Sequence, residues 1–429
     1  MKSRCTLYFI VTILFFSTSS VFSQTFLYGD PLPDAPELAM RGDFNIGVRT
    51  MELVHKDQID ILNSQKGNDP LYDRPLTVEV WYPAEYPTGA EAMTTYEDVM
   101  GTRGDTLRPL IPFSFKGRAL RNAEPITHTS AFPLVIVSHG YVGSRYLMTY
   151  LTENLASKGY VVVAIDHTDS TFNDANAFYS TLLNRPKDIR FVLNEIARLG
   201  AATSDSYLKG MIDSTNIAIV GYSMGGYGVL NVAGAGYSDG LTQFFGGMAG
   251  GSTAINVHAA SNPEYQKMQD PRIKAVVAFA PWGMERGVWD AEGLKGLKTP
   301  TLFVAGSQDD ISGYEKGIKA IYAGAIHSDR YLLTYINARH NVAPNPPPAE
   351  ALAPGLHLDE YYRYAEPSWD QRKINNINQH FVTAFLGIHL KQKAYGKYFD
   401  IPENSNDQNW NGFKPRSSTG MELLHSQPE

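Results

Sequence analysis

Residues 216–226 read Asn216-Ile-Ala-Ile-Val-Gly-Tyr-Ser-Met-Gly-Gly226, an apolar run that leads directly into Gly-x-Ser-x-Gly with Ser223 at its centre. The residues after this pentapeptide favour a helix. A serine on a sharp strand-to-helix turn has an exposed hydroxyl, and side chains at the two glycine positions would collide with neighbouring backbone. An ordinary glycine turn can contain the same pentapeptide. The strand before it and the helix after it predict that Ser223 is a nucleophile.

Five other short apolar runs resemble the strand before Ser223, at residues 133–137, 160–165, 274–279, 300–304 and 331–335. They are apolar on both faces, as strands covered by helices on both sides must be. Amphipathic stretches at 147–158 and 186–199 lie between them. This alternation predicts an α/β fold with a doubly wound, mostly parallel sheet. The half-exposed runs 48–54 and 76–82 are expected to form antiparallel edge strands at its N-terminal side.

Two long segments, 83–130 and 234–271, lack a clear period. Loops this long inside a compact domain are usually functional walls or lids, although a disordered insertion is an equal alternative for the glycine-rich second segment. A helix pattern follows at 372–390, and residues 401–429 are mostly polar. We therefore expect one catalytic domain over residues 24–400 and a polar C-terminal tail over 401–429.

Loops that follow the predicted strands supply a base and an acid for Ser223. A serine hydroxyl is a poor nucleophile until a base takes its proton, and around such a turn the acid and then the histidine follow the serine in sequence. His340 comes just after the run 331–335, where the carboxyl ends of parallel strands converge. Asp309 and Asp310 follow the preceding strand. One carboxylate is enough to hold the imidazole tautomer. We expect Asp309 to do so, and Asp310 to be a solvated neighbour or a helix cap.

Two backbone N–H groups are expected to stabilise the negative charge that develops on the substrate oxygen. They belong to Met224, which follows the nucleophile, and to Tyr141, in the loop after the run 133–137. His139 is interpreted as a structural histidine that holds this loop. Asp166 and His167 are adjacent in a predicted strand and point to opposite faces, which argues against a metal pair. No metal and no cofactor are expected.

Three segments together resemble known esterases: Pro133-Leu-Val-Ile-Val-Ser-His-Gly140, Leu155-Ala-Ser-Lys-Gly-Tyr-Val-Val-Val-Ala-Ile-Asp-His167 and Ile217-Ala-Ile-Val-Gly-Tyr-Ser-Met-Gly-Gly226. The resemblance covers roughly residues 130–345. It is to platelet-activating-factor acetylhydrolase and dienelactone-hydrolase-like esterases, and to bacterial cutinase-like polyester hydrolases, all of the α/β-hydrolase fold. It implies a nucleophile at Ser223, a base at His340, and oxyanion donors at Tyr141 and Met224.

The position of the acid separates the two groups. In the acetylhydrolases the acid follows the strand that here ends in Phe279-Ala-Pro-Trp282, and this chain has no carboxylate there. The cutinase-like group places its acid one strand later, beside Asp309. That group also carries Ala-Pro-Trp, with its indole in the substrate cleft, which implies that Trp282 binds substrate; a half-buried packing residue is the alternative. A disulfide is usual near the end of the cutinase-like domain, and this chain has a single cysteine, Cys5.

The net charge bears on the partners of the protein, and the first residues bear on its location. The chain has 44 acidic and 37 basic side chains, a formal net charge of −7, which argues against nucleic acid as a partner. Lys2 and Arg4 precede an apolar run at 7–16, and Val21-Phe22-Ser23 before Gln24 resembles a small-residue cleavage site. This pattern predicts a signal peptide over residues 1–23, with an uncleaved anchor or a buried strand as alternatives. We expect a secreted protein, periplasmic or extracellular, without stable membrane insertion.

The predicted function is hydrolysis of carboxylic esters through a Ser223–His340–Asp309 triad and an acyl-enzyme. The expected partner is a small-molecule or polymeric ester substrate, with short-chain or aromatic acyl esters preferred and polyesters included. One alternative is a catalytically silent module on the same scaffold that binds carbohydrate or protein. Another is an amidase or peptidase. The sequence leaves the oligomeric state open.

Overall fold

The computed structural model describes residues 26–127, 130–406 and 408–429. The predicted signal peptide, residues 1–23 with Cys5, lies outside the described residues. The described residues contain the strands β1 (Asn45–Ile59), β2 (Leu71–Glu85), β3 (Thr94–Met100), β4 (Ile111–Gly117), β5 (Leu120–Arg121), β6 (Glu124–Pro125), β7 (Phe132–Ser138), β8 (Val161–Asp166), β9 (Ile212–Tyr222), β10 (Ile273–Phe279), β11 (Thr301–Gly306), β12 (Arg330–Tyr335) and β13 (Met421–Ser426).

The helices are α1 (Thr149–Ser157), α2 (Phe178–Leu199), α3 (Met224–Val232), α4 (Asp239–Met248), α5 (Pro263–Lys267), α6 (Ala291–Leu294), α7 (Lys319–Gly324), α8 (Leu358–Tyr362) and α9 (Gln371–Lys391). Helices α1 and α9 pack on each other, and so do α2 and α3, and both pairs contact the central strands. Every residue of β7 is buried, as expected for a strand that is covered on both faces. Within the described ranges, the structure has no helix with the length and hydrophobicity needed to cross a bilayer.

Eleven strands form one sheet in the order β13-β12-β11-β10-β9-β7-β8-β2-β1-β5, with β6 paired to β2. Strands β7 to β12 pair in parallel with one another. Strand β2 runs antiparallel to β8, and β1 runs antiparallel to β2. The predicted doubly wound, mostly parallel sheet with antiparallel N-terminal strands is therefore confirmed. The loops that follow β7, β9, β11 and β12 meet at one edge of this sheet.

The segment 83–130, predicted to be irregular, contains a separate hairpin of β3 and β4. Buried and exposed residues alternate in both strands, so one face of the hairpin packs on the body of the protein. Tyr96 on this face accepts a hydrogen bond from Trp81 Nε1 (2.8 Å) and donates one to Glu153 Oε1 (2.8 Å). Met100 and Phe113 are buried on the same face, so apolar packing and these polar contacts together hold the hairpin on the body of the protein.

Two other segments also differ from the sequence-based prediction. The segment 234–271 contains α4 and α5, which begin at the N-caps Ser238 and Asn262. The tail 401–429 contributes β13, which pairs antiparallel with β12 and opposes Leu423 to Leu333. Met421 and Leu423 are buried and alternate with the partly exposed Glu422 and Leu424, and a strand of only six residues gives too short a pattern to predict. Residues 421–426 thus belong to the main sheet, beyond the predicted boundary at residue 400.

Candidate active site

Ser223 occupies a sharp turn between the end of β9 and the start of α3. Its backbone has φ 54° and ψ −112°, a region that side chains disfavour. A Cβ atom at position 221 would lie 2.2 Å from the Gly225 carbonyl oxygen, and one at position 225 would lie 2.0 Å from the Ser138 carbonyl oxygen. Only glycine fits at either position, so the sequence Gly-x-Ser-x-Gly is a steric requirement of this turn.

The structure brings Ser223, His340 and Asp309 together. His340 Nε2 lies 3.0 Å from Ser223 Oγ, and His340 Nδ1 lies 2.9 Å from Asp309 Oδ2. All three residues are buried at the carboxyl edge of the sheet. This geometry allows the imidazole to accept the serine proton while the carboxylate holds the opposite ring nitrogen in its protonated form.

Asp309 and Asp310 have different surroundings. Asp309 Oδ1 accepts the backbone N–H groups of Ile311 (2.9 Å) and Ser312 (2.8 Å). Burial alone would raise the pKa of Asp309, but the His340 charge and hydrogen bond, together with these backbone donors, hold it below its ordinary value. Asp310 instead pairs with the Arg339 guanidinium and is exposed. The carboxylate next to His340 is therefore that of Asp309.

The N–H groups of Tyr141 and Met224 are available to a ligand. Met224 is the first residue of α3, where helix N–H groups have no intrahelical acceptor. In the part of the chain that the structure describes, the Tyr141 N–H donates no hydrogen bond. Tyr141 follows β7 and Met224 follows β9, and these are neighbouring strands. Both amides therefore lie near Ser223 as candidate donors to an oxyanion.

A buried polar network lies beneath the loop that carries Tyr141. Arg185 Nη1 on α2 donates to the His139 carbonyl oxygen (2.5 Å), and the imidazole of His139 accepts the backbone N–H of His167 (3.2 Å). His139 thus occupies the supporting position that the sequence suggested. Arg185 was not foreseen, because the sequence pattern placed the start of its helix at Pro186, whereas α2 begins at Phe178 and includes that proline.

The same network contains a second serine–histidine–aspartate arrangement. His167 lies 2.9 Å from Ser138 Oγ through Nε2 and 3.0 Å from Asp188 Oδ2 through Nδ1. Asp188 also accepts from Arg74 Nε (2.9 Å). Ser138 is 0% exposed, so no substrate reaches its hydroxyl. This arrangement is structural, and burial is what distinguishes it from the Ser223 site.

The buried histidines are expected to lower the stability of the folded protein on mild acidification. Burial is the largest cause that lowers the pKa of His167, His258 and His380 to about 3, and it lowers that of His139 as well. The folded state keeps these rings neutral, whereas the unfolded chain binds protons as the pH falls through about 6.5. The free energy of unfolding should therefore decrease below that pH, by up to about 1.4 kcal/mol per pH unit for each additional proton.

Thermal unfolding at constant ionic strength tests this expectation. The Tm should fall steadily from pH 7 to pH 5, a range in which ordinary carboxylates titrate little. The variant His380→Gln removes one of these groups and should show a shallower slope. A Tm that stays constant over this range would contradict the assignment of neutral buried histidines.

Further residues shape the surroundings of Ser223. A cavity of about 340 Å³ is lined by Ser223, His340 and Tyr141, among others, and Phe172 lines both this cavity and a larger one of about 790 Å³. Glu366, which follows α8, accepts the backbone N–H groups of Arg339 (2.6 Å) and Asn341 (2.5 Å), on either side of His340. No sequence signal pointed to Glu366, because its role depends on how a distant loop folds back.

Trp282 lies beside the nucleophile but outside the lining of that cavity. Its backbone N–H donates to the Ser223 carbonyl oxygen (3.2 Å). Its half-buried indole makes an edge-to-face contact with Phe178 (ring centroids 5.3 Å apart), and Phe178 makes another with Tyr141 (5.2 Å). The three partly exposed rings form an aromatic row next to Ser223. Phe178, the middle ring, was missed because the sequence pattern started its helix eight residues later.

No group of three or more histidine, cysteine, aspartate or glutamate side chains is placed to hold a metal ion in residues 26–127, 130–406 and 408–429.

Comparisons with known proteins find relatives whose names all describe hydrolases. A family model described as PETase, PET hydrolase-like, matches residues 121–238. Cutinase est1 of Thermobifida alba is 24% identical over 217 residues, which cover 50% of this chain and 55% of that protein. Bis(hydroxyethyl) terephthalate hydrolase of Streptomyces coelicolor is 26% identical over 215 residues, which cover 50% of this chain and 52% of that protein. The chain thus spans about half the length of the curated relatives it matches.

Among solved structures, a ferulic acid esterase from Streptomyces cinnamoneus superposes with a TM-score of 0.55 at 19% identity, over 92% of this chain and 100% of that chain. At this identity the likeness establishes the fold alone. Together the comparisons confirm the α/β-hydrolase fold and the predicted resemblance to cutinase-like esterases.

Proposed function

We propose that this chain is a serine carboxylic ester hydrolase with Ser223 as nucleophile, His340 as general base and Asp309 as the acid that orients it. The observation that carries the proposal is the continuous set of contacts Ser223 Oγ–His340 Nε2 (3.0 Å) and His340 Nδ1–Asp309 Oδ2 (2.9 Å) at a turn that only glycines permit. Its resemblance to cutinases and to a terephthalate ester hydrolase supports the same reaction class.

The geometry supports a two-step reaction. Ser223 Oγ attacks the ester carbonyl carbon as His340 Nε2 takes its proton, and the carbonyl oxygen becomes an oxyanion that accepts the N–H groups of Tyr141 and Met224. The intermediate collapses, His340 gives the proton to the departing alcohol, and the acyl group stays on Ser223. Water then attacks the acyl-enzyme with His340 as base, which releases the acid and restores the serine. Asp309 remains ionised throughout and stabilises the imidazolium.

For substrates, we propose short-chain or aromatic acyl esters, with polyesters included. The aromatic row of Tyr141, Phe178 and Trp282 supports this proposal, because it offers rings beside Ser223 for an aromatic or small apolar group. Aromatic pairs contribute about 0.5–1.5 kcal/mol beyond the area they bury. Trp282 is proposed as the end of this binding wall. We also propose export of the protein, on the charged start and apolar run within residues 1–23.

A substrate panel tests the reaction class. The purified protein should hydrolyse 4-nitrophenyl butyrate and 4-nitrophenyl benzoate at least about tenfold faster than 4-nitrophenyl palmitate, because no long apolar groove adjoins Ser223 in the described cavity. It should hydrolyse butyryl 4-nitroanilide far more slowly than the matching ester. Ser223→Ala serves as the blank.

The other outcomes identify the alternatives. Comparable rates on the anilide and the ester would favour an amidase or peptidase. A folded protein that hydrolyses none of these esters would favour the catalytically silent binding module. Preference for the palmitate ester would contradict the proposed substrate class while leaving the reaction class intact.

A further inference from the structure

Arg363 lines the cavity that contains Ser223, and its charge is poorly compensated. It caps the C-terminus of α8, and its guanidinium carbon lies 5.5 Å from the centre of the Phe172 ring. Its Nε is buried without a hydrogen-bond partner, and within the described ranges no hydrogen bond of its other guanidinium nitrogens is found. The nearest carboxylate oxygen, Glu360 Oε2, is 3.8 Å from Nε, which is beyond hydrogen-bond distance.

The neighbouring carboxylates already have other partners. Glu360 Oε2 accepts the backbone N–H of Gly101 (2.9 Å), and its Oε1 accepts Arg108 Nε (2.6 Å). Asp310 pairs with Arg339, and Glu366 accepts two backbone N–H groups. Asp359, the remaining acidic residue of the lining, lies 3.5 Å from Arg108 and is largely exposed. None of the acidic residues that line the cavity is hydrogen-bonded to Arg363.

Arg108 provides a second positive charge in the same cavity. It comes from the connection between β3 and β4, and its buried Nη2 has no hydrogen-bond partner. Burial, followed by the charge of Arg108, lowers the pKa of Arg363. A guanidinium stays protonated in proteins, so this shift reflects an unfavourable positive charge at the cavity wall. Nη1 and Nη2 of Arg363, unlike its Nε, are not fully buried, and an anion that accepts their hydrogen bonds would relieve that cost.

Arg363 and Ser223 line the same cavity, so one ligand can contact both. Tyr141, which follows β7, and Tyr222, directly before Ser223, also line it. Burial raises the pKa of both tyrosines, and in each case the charge of Arg363 opposes the rise. The cavity of about 340 Å³ falls in the size range of small-ligand pockets.

We propose that this cavity binds esters that carry a free carboxylate, that is, half-esters of dicarboxylic acids, with Arg363 holding the carboxylate, the charge of Arg108 adding to the attraction, and Ser223 attacking the ester group. This inference rests on the proposed ester hydrolase function. Hydrolysis of a neutral diester by one water yields an alcohol and such a half-ester, so the cavity would also accept the product of a first cleavage.

The test compares two substrates of the same shape and different charge. Monomethyl terephthalate carries a carboxylate, and methyl 4-carbamoylbenzoate carries a neutral amide in its place. The wild-type protein should have the higher kcat/KM for the carboxylate, and raised salt should reduce that advantage. Arg363→Gln should lower kcat/KM for the carboxylate substrate about 10- to 100-fold, the size expected for charge-assisted hydrogen bonds. It should change kcat/KM for the amide substrate by less than about threefold, because a neutral amide forms no ion pair with the guanidinium and its carbonyl oxygen accepts only a weaker hydrogen bond.

Two further variants serve as controls. Arg198→Gln removes an exposed arginine of α2 that pairs with Glu195 one turn away, and it should leave both substrates unaffected. Arg363→Lys keeps the charge without the planar fork and should retain part of the preference. If Arg363→Gln fails to fold, benzoate inhibition of wild-type hydrolysis of the neutral ester, compared with benzamide, gives the same readout. Benzoate should inhibit more strongly.

The outcomes separate this inference from the proposed function. Equal kcat/KM for the two substrates in the wild-type protein, or equal losses for both in folded Arg363→Gln, would overturn the carboxylate site while ester hydrolysis stands. Equal inhibition by benzoate and benzamide would overturn it in the same way. Failure to hydrolyse either ester would contradict the proposed function itself.

Discussion

Replacing Ser223 with alanine is expected to lower kcat by about 10⁶-fold, to the residual acceleration that oxyanion donors and binding alone provide. The Oγ atom has His340 Nε2 as its hydrogen-bond partner, and alanine tolerates the same backbone, so the fold should persist. Steady-state hydrolysis of 4-nitrophenyl butyrate and thermal unfolding measure the two effects. A folded variant that keeps more than a few per cent of wild-type turnover would contradict the mechanism.

Ser138→Ala is the matched control for that experiment. Ser138 also contacts a histidine that is paired with an aspartate, but it is fully buried. Its removal should leave turnover within about tenfold of wild type and should lower stability, because an unpaired buried polar group costs about 1–3 kcal/mol. Opposite results for the two serines therefore separate a nucleophile from a structural hydroxyl.

Asp309→Asn is expected to reduce kcat/KM by about 10⁴-fold, as loss of the orienting carboxylate does in other serine–histidine–aspartate sites. The amide that replaces the carboxylate would face His340 Nδ1 and favour the wrong imidazole tautomer. Asp310→Asn should cost less than about tenfold, because Asp310 pairs with exposed Arg339 rather than with the imidazole. Measurement of kcat/KM for both variants across pH shows which of the two carboxylates contributes more to the reaction. If Asp310→Asn has the larger effect, the acid is assigned to the wrong residue.

The sequence located the parts of the site that follow strands of the main sheet. Ser223, Asp309 and His340 each come directly after an apolar run, and parallel strands bring such positions to one edge. The antiparallel strands β1 and β2 were predictable from their alternating pattern. Half-exposure is wrong for β2, because residues 76–82 lie between β1 and β8 and are almost all buried.

The parts that were not predicted depend on long-range contacts. Phe178 lies in the first turn of a helix whose start the internal Pro186 obscured. Glu366 and Arg363 acquire their roles because a loop some 25 residues beyond His340 folds back over it. Strand β13 has only two buried residues, Met421 and Leu423, and its pairing with β12 cannot be predicted from so short a pattern. In each case tertiary packing decides a feature that local sequence does not encode.

Whether Ser223 is the nucleophile is tested most directly by measuring the mass of the protein after reaction with a fluorophosphonate, which modifies only activated serines. We expect one adduct per chain, which fragmentation should locate on Ser223 within the peptide that contains Gly221 and Gly225. The Ser223→Ala variant should form no adduct. Modification should be much slower in Asp309→Asn. An adduct on another residue, or hydrolysis of esters by a protein that forms no adduct on Ser223, would contradict the assignment of Ser223 as the nucleophile.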